Sequence, residues 1–161
     1  MNEHGFIKAV HRHLSPEVYR WKIHDTYTGG VPDAFYLGPA GSLWVEYKYV
    51  KLPKRPDTIV TFGISKLQAI WLTRAQECGQ LAAVIIGFDK QAQIVDNPEQ
   101  FNTMTQRELQ DGALSFQCVA DWIENHVISG GYGRDSNAAE SGAKSTPHME
   151  RKKRPIRNKS N

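Results

Sequence analysis

The sequence predicts an α/β domain. Three observations carry this reading: apolar residues at helical spacing over 2–14 and 66–78, short strand-like runs at 19–24, 31–37, 43–50 and 81–88, and turn-forming Gly, Pro and Ser between them. In chain order these elements read αβββαβ. At 161 residues there is room for one domain with a real core.

Phe6, Ile7, Val10 and Leu14 make one helical stripe over 2–14, and Ser15-Pro16 ends it. Glu3 lies one turn before Ile7 on that stripe and is expected to face inward. Residues 19–24 alternate apolar and polar, as a half-buried strand does. A loop from Asp25 to Gly30 leads to a strand over 31–37, and the five residues 38–42 turn the chain into a strand over 43–50. A polar loop with two prolines follows. Ser65 is the expected N-cap of a helix over 66–78 that Gly79 ends. Residues 81–88 are almost continuously apolar, which suits an interior strand covered on both faces. The pattern over 90–112 has no clear period. A final helix over 116–127 presents Phe116, Val119, Ala120, Ile123 and Val127 on one face, available to the sheet or to a partner subunit.

Charge divides the chain. Residues 1–128 carry 12 Lys/Arg against 14 Asp/Glu, whereas 129–161 carry 8 against 3 and have little to bury. The expected organisation is a folded domain over 1–128 and a disordered basic tail over 129–161. No apolar run approaches the roughly 18 residues of a membrane helix, and the N-terminus lacks the apolar core of a signal peptide. Cys78 and Cys118 stand far apart without neighbouring ligands, and reduced packing residues are the expectation for both. A cytoplasmic location follows.

The chemistry concentrates between Gly29 and Lys48. On the 43–50 strand, Leu43, Val45, Tyr47 and Tyr49 point one way, and Trp44, Glu46, Lys48 and Val50 the other. Glu46 and Lys48 therefore share a face, roughly 7 Å apart. If the 31–37 strand pairs antiparallel with this one, Asp33 falls close to Glu46. Two converging carboxylates repel unless a cation joins them, and hard oxygen ligands select Mg²⁺ or Mn²⁺. Such an ion with a lysine beside it is the equipment of phosphodiester cleavage. The same Glu-x-Lys pattern also suits a solvated salt-bridging pair. Trp44 and Tyr47 give that strand a buried composition, however, and buried charges need a reason.

The stretch over about 3–88 resembles the PD-(D/E)xK nuclease superfamily, and within it the virus-type replication-repair nuclease domain and the Holliday-junction-resolvase-like phage nucleases. The residues that carry the resemblance are Gly30-Val31-Pro32-Asp33, Glu46-Tyr47-Lys48, and Ser65 to Leu72 with Gln68 followed by Trp71-Leu72. It implies a restriction-endonuclease-like αβββαβ core, with a mixed four-stranded sheet flanked by helices and the C-terminal helix added. By position, Asp33 and Glu46 would be metal ligands, the Tyr47 backbone carbonyl another, and Lys48 the catalytic lysine. Gln68 matches the family's helix-borne glutamine and Glu3 its additional acidic ligand. Glu3 also suits an exposed helix-start acid. The resemblance further implies a DNA substrate, with branched DNA such as a Holliday junction the expected form, and a homodimer.

Around this constellation, Lys51, Lys54 and Arg55 follow the motif strand and Lys66 opens the next helix. They are candidate phosphate contacts, although such a cluster is more often simply solvated. Arg151, Lys152, Lys153 and Arg154 are expected to add salt-sensitive affinity for nucleic acid. His11 and His13 do not share a helix face, so a metal pair is not expected; His24-Asp25 reads as a polar strand end. The rival readings are a restriction-type or single-strand-directed nuclease, and a binding module that keeps the fold without catalysis.

Overall fold

The computed structural model describes residues 1–24, 27–97 and 100–130. Of the expected tail, residues 131–161, with Arg151 to Arg154, lie outside the described residues, as does Asp25, whereas Ser129 still belongs to the last helical turn.

The chain opens with α1 (Glu3–His11), capped by the Asn2 side chain on Gly5 N–H. Three antiparallel strands follow: β1 (Tyr19–Lys22), β2 (Ala34–Gly38) and β3 (Gly41–Tyr49). After β4 (Ile59–Thr61) come α2 (Lys66–Glu77) and β5 (Leu81–Phe88), which returns parallel to β3. The expected αβββαβ order is thus present. The sheet, however, has six strands in the order β1-β2-β3-β5-β6-β8, not four. β6 (Gln91–Val95) and β8 (Leu114–Ser115) extend it, and β7 (Thr103–Thr105) pairs with β4 as a separate ribbon leading into α3 (Gln106–Asp111). These pieces are too short for a hydrophobic period to emerge over 90–112. The chain then forms α4 (Phe116–Glu124), which continues as a π-helical turn over Asn125–Ser129.

Helices cover both faces. Phe6, Ile7 and Val10 of α1 and Val119, Ala120 and Ile123 of α4 pack with Tyr36, Val45, Tyr47 and Ile85 on one side. Leu72 of α2 packs with Val84, Ile86, Phe101 and Leu109 on the other. All of β5 except Leu81 is buried, as its continuous apolar run requires. The apolar face of α4 is therefore used by the core. Gly87 on β5 is required by close approach: a Cβ there would stand 2.6 Å from the Phe6 ring.

Four local expectations need correction. The β2–β3 turn is two residues, because Gly38 already pairs with Gly41. β2 begins at Ala34, so Asp33 stands just before the strand. β1 is not half-buried: as the sheet's edge it leaves Tyr19 60% and Trp21 53% exposed. Both cysteines are free but exposed, Cys78 at the C-cap of α2 and Cys118 beside Ser115 at the start of α4, so neither is a packing residue.

Candidate active site

The site forms where β3 runs past the beginning of β2. Ala34 pairs with Val45, so the antiparallel register puts Asp33 opposite Glu46. With no ladder partner on that side, the Tyr47 N–H is accepted by Asp33 Oδ2 at 3.0 Å. In an extended strand the Tyr47 carbonyl points to the same side as its N–H, toward Asp33. Gly30 makes this approach possible. Its φ is +91°, and a Cβ would lie 2.7 Å from the Leu67 backbone, so the loop before Asp33 presses against the first turn of α2.

Glu46 is fully buried. Its Oε1 accepts from Lys48 Nζ at 2.5 Å and from Gln68 Nε2 at 2.5 Å, while its Oε2 is a buried acceptor without a hydrogen-bond partner. Gln68 is placed by a capping box: Ser65 Oγ accepts its N–H, and its own Oε1 accepts the Ser65 N–H at 2.9 Å. One glutamine thus fixes the start of α2 and reaches across to the β3 carboxylate.

The electrostatics report one coupled cluster. Burial, then Asp33, lift the Glu46 carboxyl to about 7 against the opposing pull of Lys48. Burial would lower the Lys48 ammonium, but its bond to Glu46 and the charges of Glu46, Asp33 and Glu3 hold it above its ordinary value. Glu3 is half-buried and raised by burial, with Lys48 and Asp33 the next strongest influences on it. The structure therefore brings together Glu3, Asp33, Glu46, Lys48 and Gln68, three carboxylates facing one lysine. Lys51, Lys54, Arg55 and Lys66 are exposed outside this cluster.

Among the described residues no three His, Cys, Asp or Glu side chains close into a ready-made metal cage. The donors present nonetheless fit a hard divalent cation. They are all oxygens, they carry excess negative charge, and Glu46 Oε2 is a buried acceptor with nothing to accept from.

Two features escape sequence reading. His11 Nε2 lies 2.8 Å from Tyr36 Oη, which lies 2.6 Å from Tyr47 Oη, a buried polar chain on the opposite face of β3 from Glu46. His11 is engaged there. The second is Lys22, which contacts His4 Nδ1 at 3.0 Å and lies within electrostatic reach of Glu3. Neither has a signal until the β1–β2–β3 register is known.

The fold and the buried charged face of β3 define a mixed α/β domain, a six-stranded sheet flanked by helices, with a polar site beside the start of β2. No family model and no curated protein matches the chain. Among solved structures, it is similar to Hjc, a Holliday junction resolvase from the archaeal hyperthermophile Archaeoglobus fulgidus, with 15% identity and a TM-score of 0.49. That match covers 75% of this chain and 97% of the other. No helix among the described residues is long and apolar enough to cross a membrane.

Proposed function

We propose that this protein is a Mg²⁺- or Mn²⁺-dependent endonuclease of the PD-(D/E)xK type that hydrolyses DNA, with branched DNA such as a four-way junction as its substrate. The observation that carries the reading is Glu46: a fully buried carboxylate with one unpartnered oxygen, opposite Asp33 and bonded to Lys48. A structural salt bridge has no use for the second carboxylate or the orphaned oxygen. Loss of Asp33, Glu46 or Lys48 would favour a non-catalytic module, and all three are in place.

Asp33, Glu46 and the Tyr47 carbonyl would hold the cation, with Glu3 beside them. Bound there, the ion supplies charge stabilisation at the scissile phosphate and acidifies a water. Lys48 is held as an ammonium by its neighbours, so it orients the attacking water and offsets the charge that builds on the phosphoryl oxygens. Gln68 keeps the Glu46 carboxylate from rotating away. Water attacks phosphorus in line, the 3′ oxygen leaves with a proton, and the product carries a 5′ phosphate. Lys51, Lys54, Arg55 and Lys66 would contact flanking phosphates, and Arg151, Lys152, Lys153 and Arg154 would add sequence-independent affinity.

A two-fold dimer would match the symmetry of a four-way junction, with an interface other than the α4 face. The setting is replication, recombination or repair in phage or bacterial cytoplasm. End-labelled four-way junction, flap, duplex and single strand, each with Mg²⁺, test the substrate. Preferential cutting of the junction supports the reading, and equal cutting of all four would replace it with a general nuclease.

A further inference from the structure

An aromatic row crosses the sheet beside the acidic pair. Trp21 pairs with Phe35, and Phe35 with Trp44, so all three side chains share one face of β1, β2 and β3. Phe35 and Trp44 have ring centroids 4.6 Å apart, and Trp44 meets Trp71 of α2 at 4.8 Å. The face is the one that carries Glu46. Phe35 stands two residues from Asp33 and Trp44 two from Glu46, so the row lies one pleat, roughly 7 Å, from the carboxylates.

The row is not finished by the core. Trp21 is 53% exposed, and depressions flank Trp44 on both sides. One, of about 460 Å³, is lined by Trp21, Lys22, His24 and Trp44. The other, of about 450 Å³, is lined by Trp44, Trp71, Leu67 and Arg74. Among the described residues neither has an acidic lining residue, whereas the neighbouring row is acidic. Flat π faces with an arginine at the rim suit a polyanion that carries planar rings. Base faces stack on aromatics whatever the sequence, and the Arg74 cation meets the backbone.

We propose that the row Trp21–Phe35–Trp44–Trp71 is a stacking platform for unpaired bases next to the scissile phosphate, so that the substrate is DNA with bases splayed out of the duplex at the cleavage point. This rests on the nuclease reading and narrows its substrate. Trp21, the exposed end, makes the first contact, and Trp44 separates the two recesses.

The test uses the full chain in EDTA, where strands stay intact. Fluorescent forked DNA with unpaired thymines is compared with fully paired duplex, for wild type, Trp21→Ala and Trp21→Phe. Trp21→Ala is expected to weaken fork binding about tenfold while duplex binding stays within about twofold, and Trp21→Phe to restore most of the loss. Removing the unpaired bases as abasic sites should weaken wild type equally and Trp21→Ala no further. Equal loss on fork and duplex, no loss on either, or unchanged binding of the abasic fork would overturn the platform. So would a change of oligomeric mass in Trp21→Ala by sedimentation, which would make the row a protein interface. Cleavage with Mg²⁺ separates the two claims. If wild type cuts DNA but Trp21→Ala binds every substrate normally, the platform alone falls. If wild type neither binds nor cuts, the nuclease reading falls and the platform with it.

Discussion

Replacing Glu46 with Gln isolates the cost of one buried charge. The wild-type carboxylate is fully buried, accepts from Lys48 and Gln68 through Oε1, and leaves Oε2 without a partner. Burial and Asp33 raise it from an ordinary 4.5 to about 7. An acid raised on folding keeps its proton in the folded state over that window, while the unfolded chain has already lost it. Its contribution to stability is therefore greatest below about pH 4.5 and declines as pH rises to about 7. The whole span corresponds to about 3 kcal/mol. A glutamine resembles the protonated acid: it keeps an acceptor toward Lys48 and Gln68, and the pull of Lys48 on the charged form is already contained in the value of about 7. Metal-free Glu46→Gln should thus be about 2–3 kcal/mol more stable than wild type at pH 8 and close to it at pH 5. Urea unfolding in EDTA at the two pH values measures this, and Mg²⁺ at pH 8 should stabilise only wild type. A variant less stable than wild type at pH 8 by about 1 kcal/mol or more would refute the reasoning. It would show that the Glu46–Lys48 pair holds the fold together rather than loading the site with charge.

Three further predictions follow from the same geometry. Gln68→Ala and Ser65→Ala both break the capping box and should each cost about 1 kcal/mol in chemical unfolding. Only Gln68→Ala removes a donor to Glu46, so it alone should lower the cleavage rate, by about tenfold or more. Burial, then Arg20 and Lys22, lower the His11 imidazole from 6.5 to about 4. The unfolded chain binds its proton first, so this stability is complete above pH 6.5 and lost as pH falls toward 4, by about 1–2 kcal/mol after allowance for its partly exposed ring. His11→Phe should flatten that part of the pH–stability curve. Asp33→Ala should abolish divalent-cation binding by calorimetry. By orphaning the Tyr47 N–H it should also lower stability about 1–2 kcal/mol.

The heart of the site was legible because strand periodicity is strict. Alternation alone placed Glu46 and Lys48 on one face, and a hairpin between 31–37 and 43–50 was enough to bring Asp33 opposite Glu46. Ser65 marked the helix start as its N-cap, whereas Gln68 was singled out by the family resemblance alone, and its capping box with Ser65 emerges only in the structure. Glu3 could be placed inward from its stripe, and Lys48 and Asp33 are the charges it senses. What local pattern could not give was position within the sheet. The alternation of β1 suggests a buried face, yet Trp21 is open because among the described residues no strand lies beyond it. Likewise β6 and β8 are held by long-range pairing rather than by a period of their own. The aromatic row depends on the register of three strands at once, which no single window contains.

The most direct test of the account is single-turnover cleavage of an end-labelled four-way junction by wild type and Lys48→Ala, with Mg²⁺ and with EDTA. The account predicts cutting by wild type in Mg²⁺ only, and a rate at least about 100-fold lower for Lys48→Ala. That variant should bind the junction nearly as tightly as wild type in EDTA. Cleavage that persists in EDTA, or a Lys48→Ala protein that cuts at the wild-type rate, would contradict it.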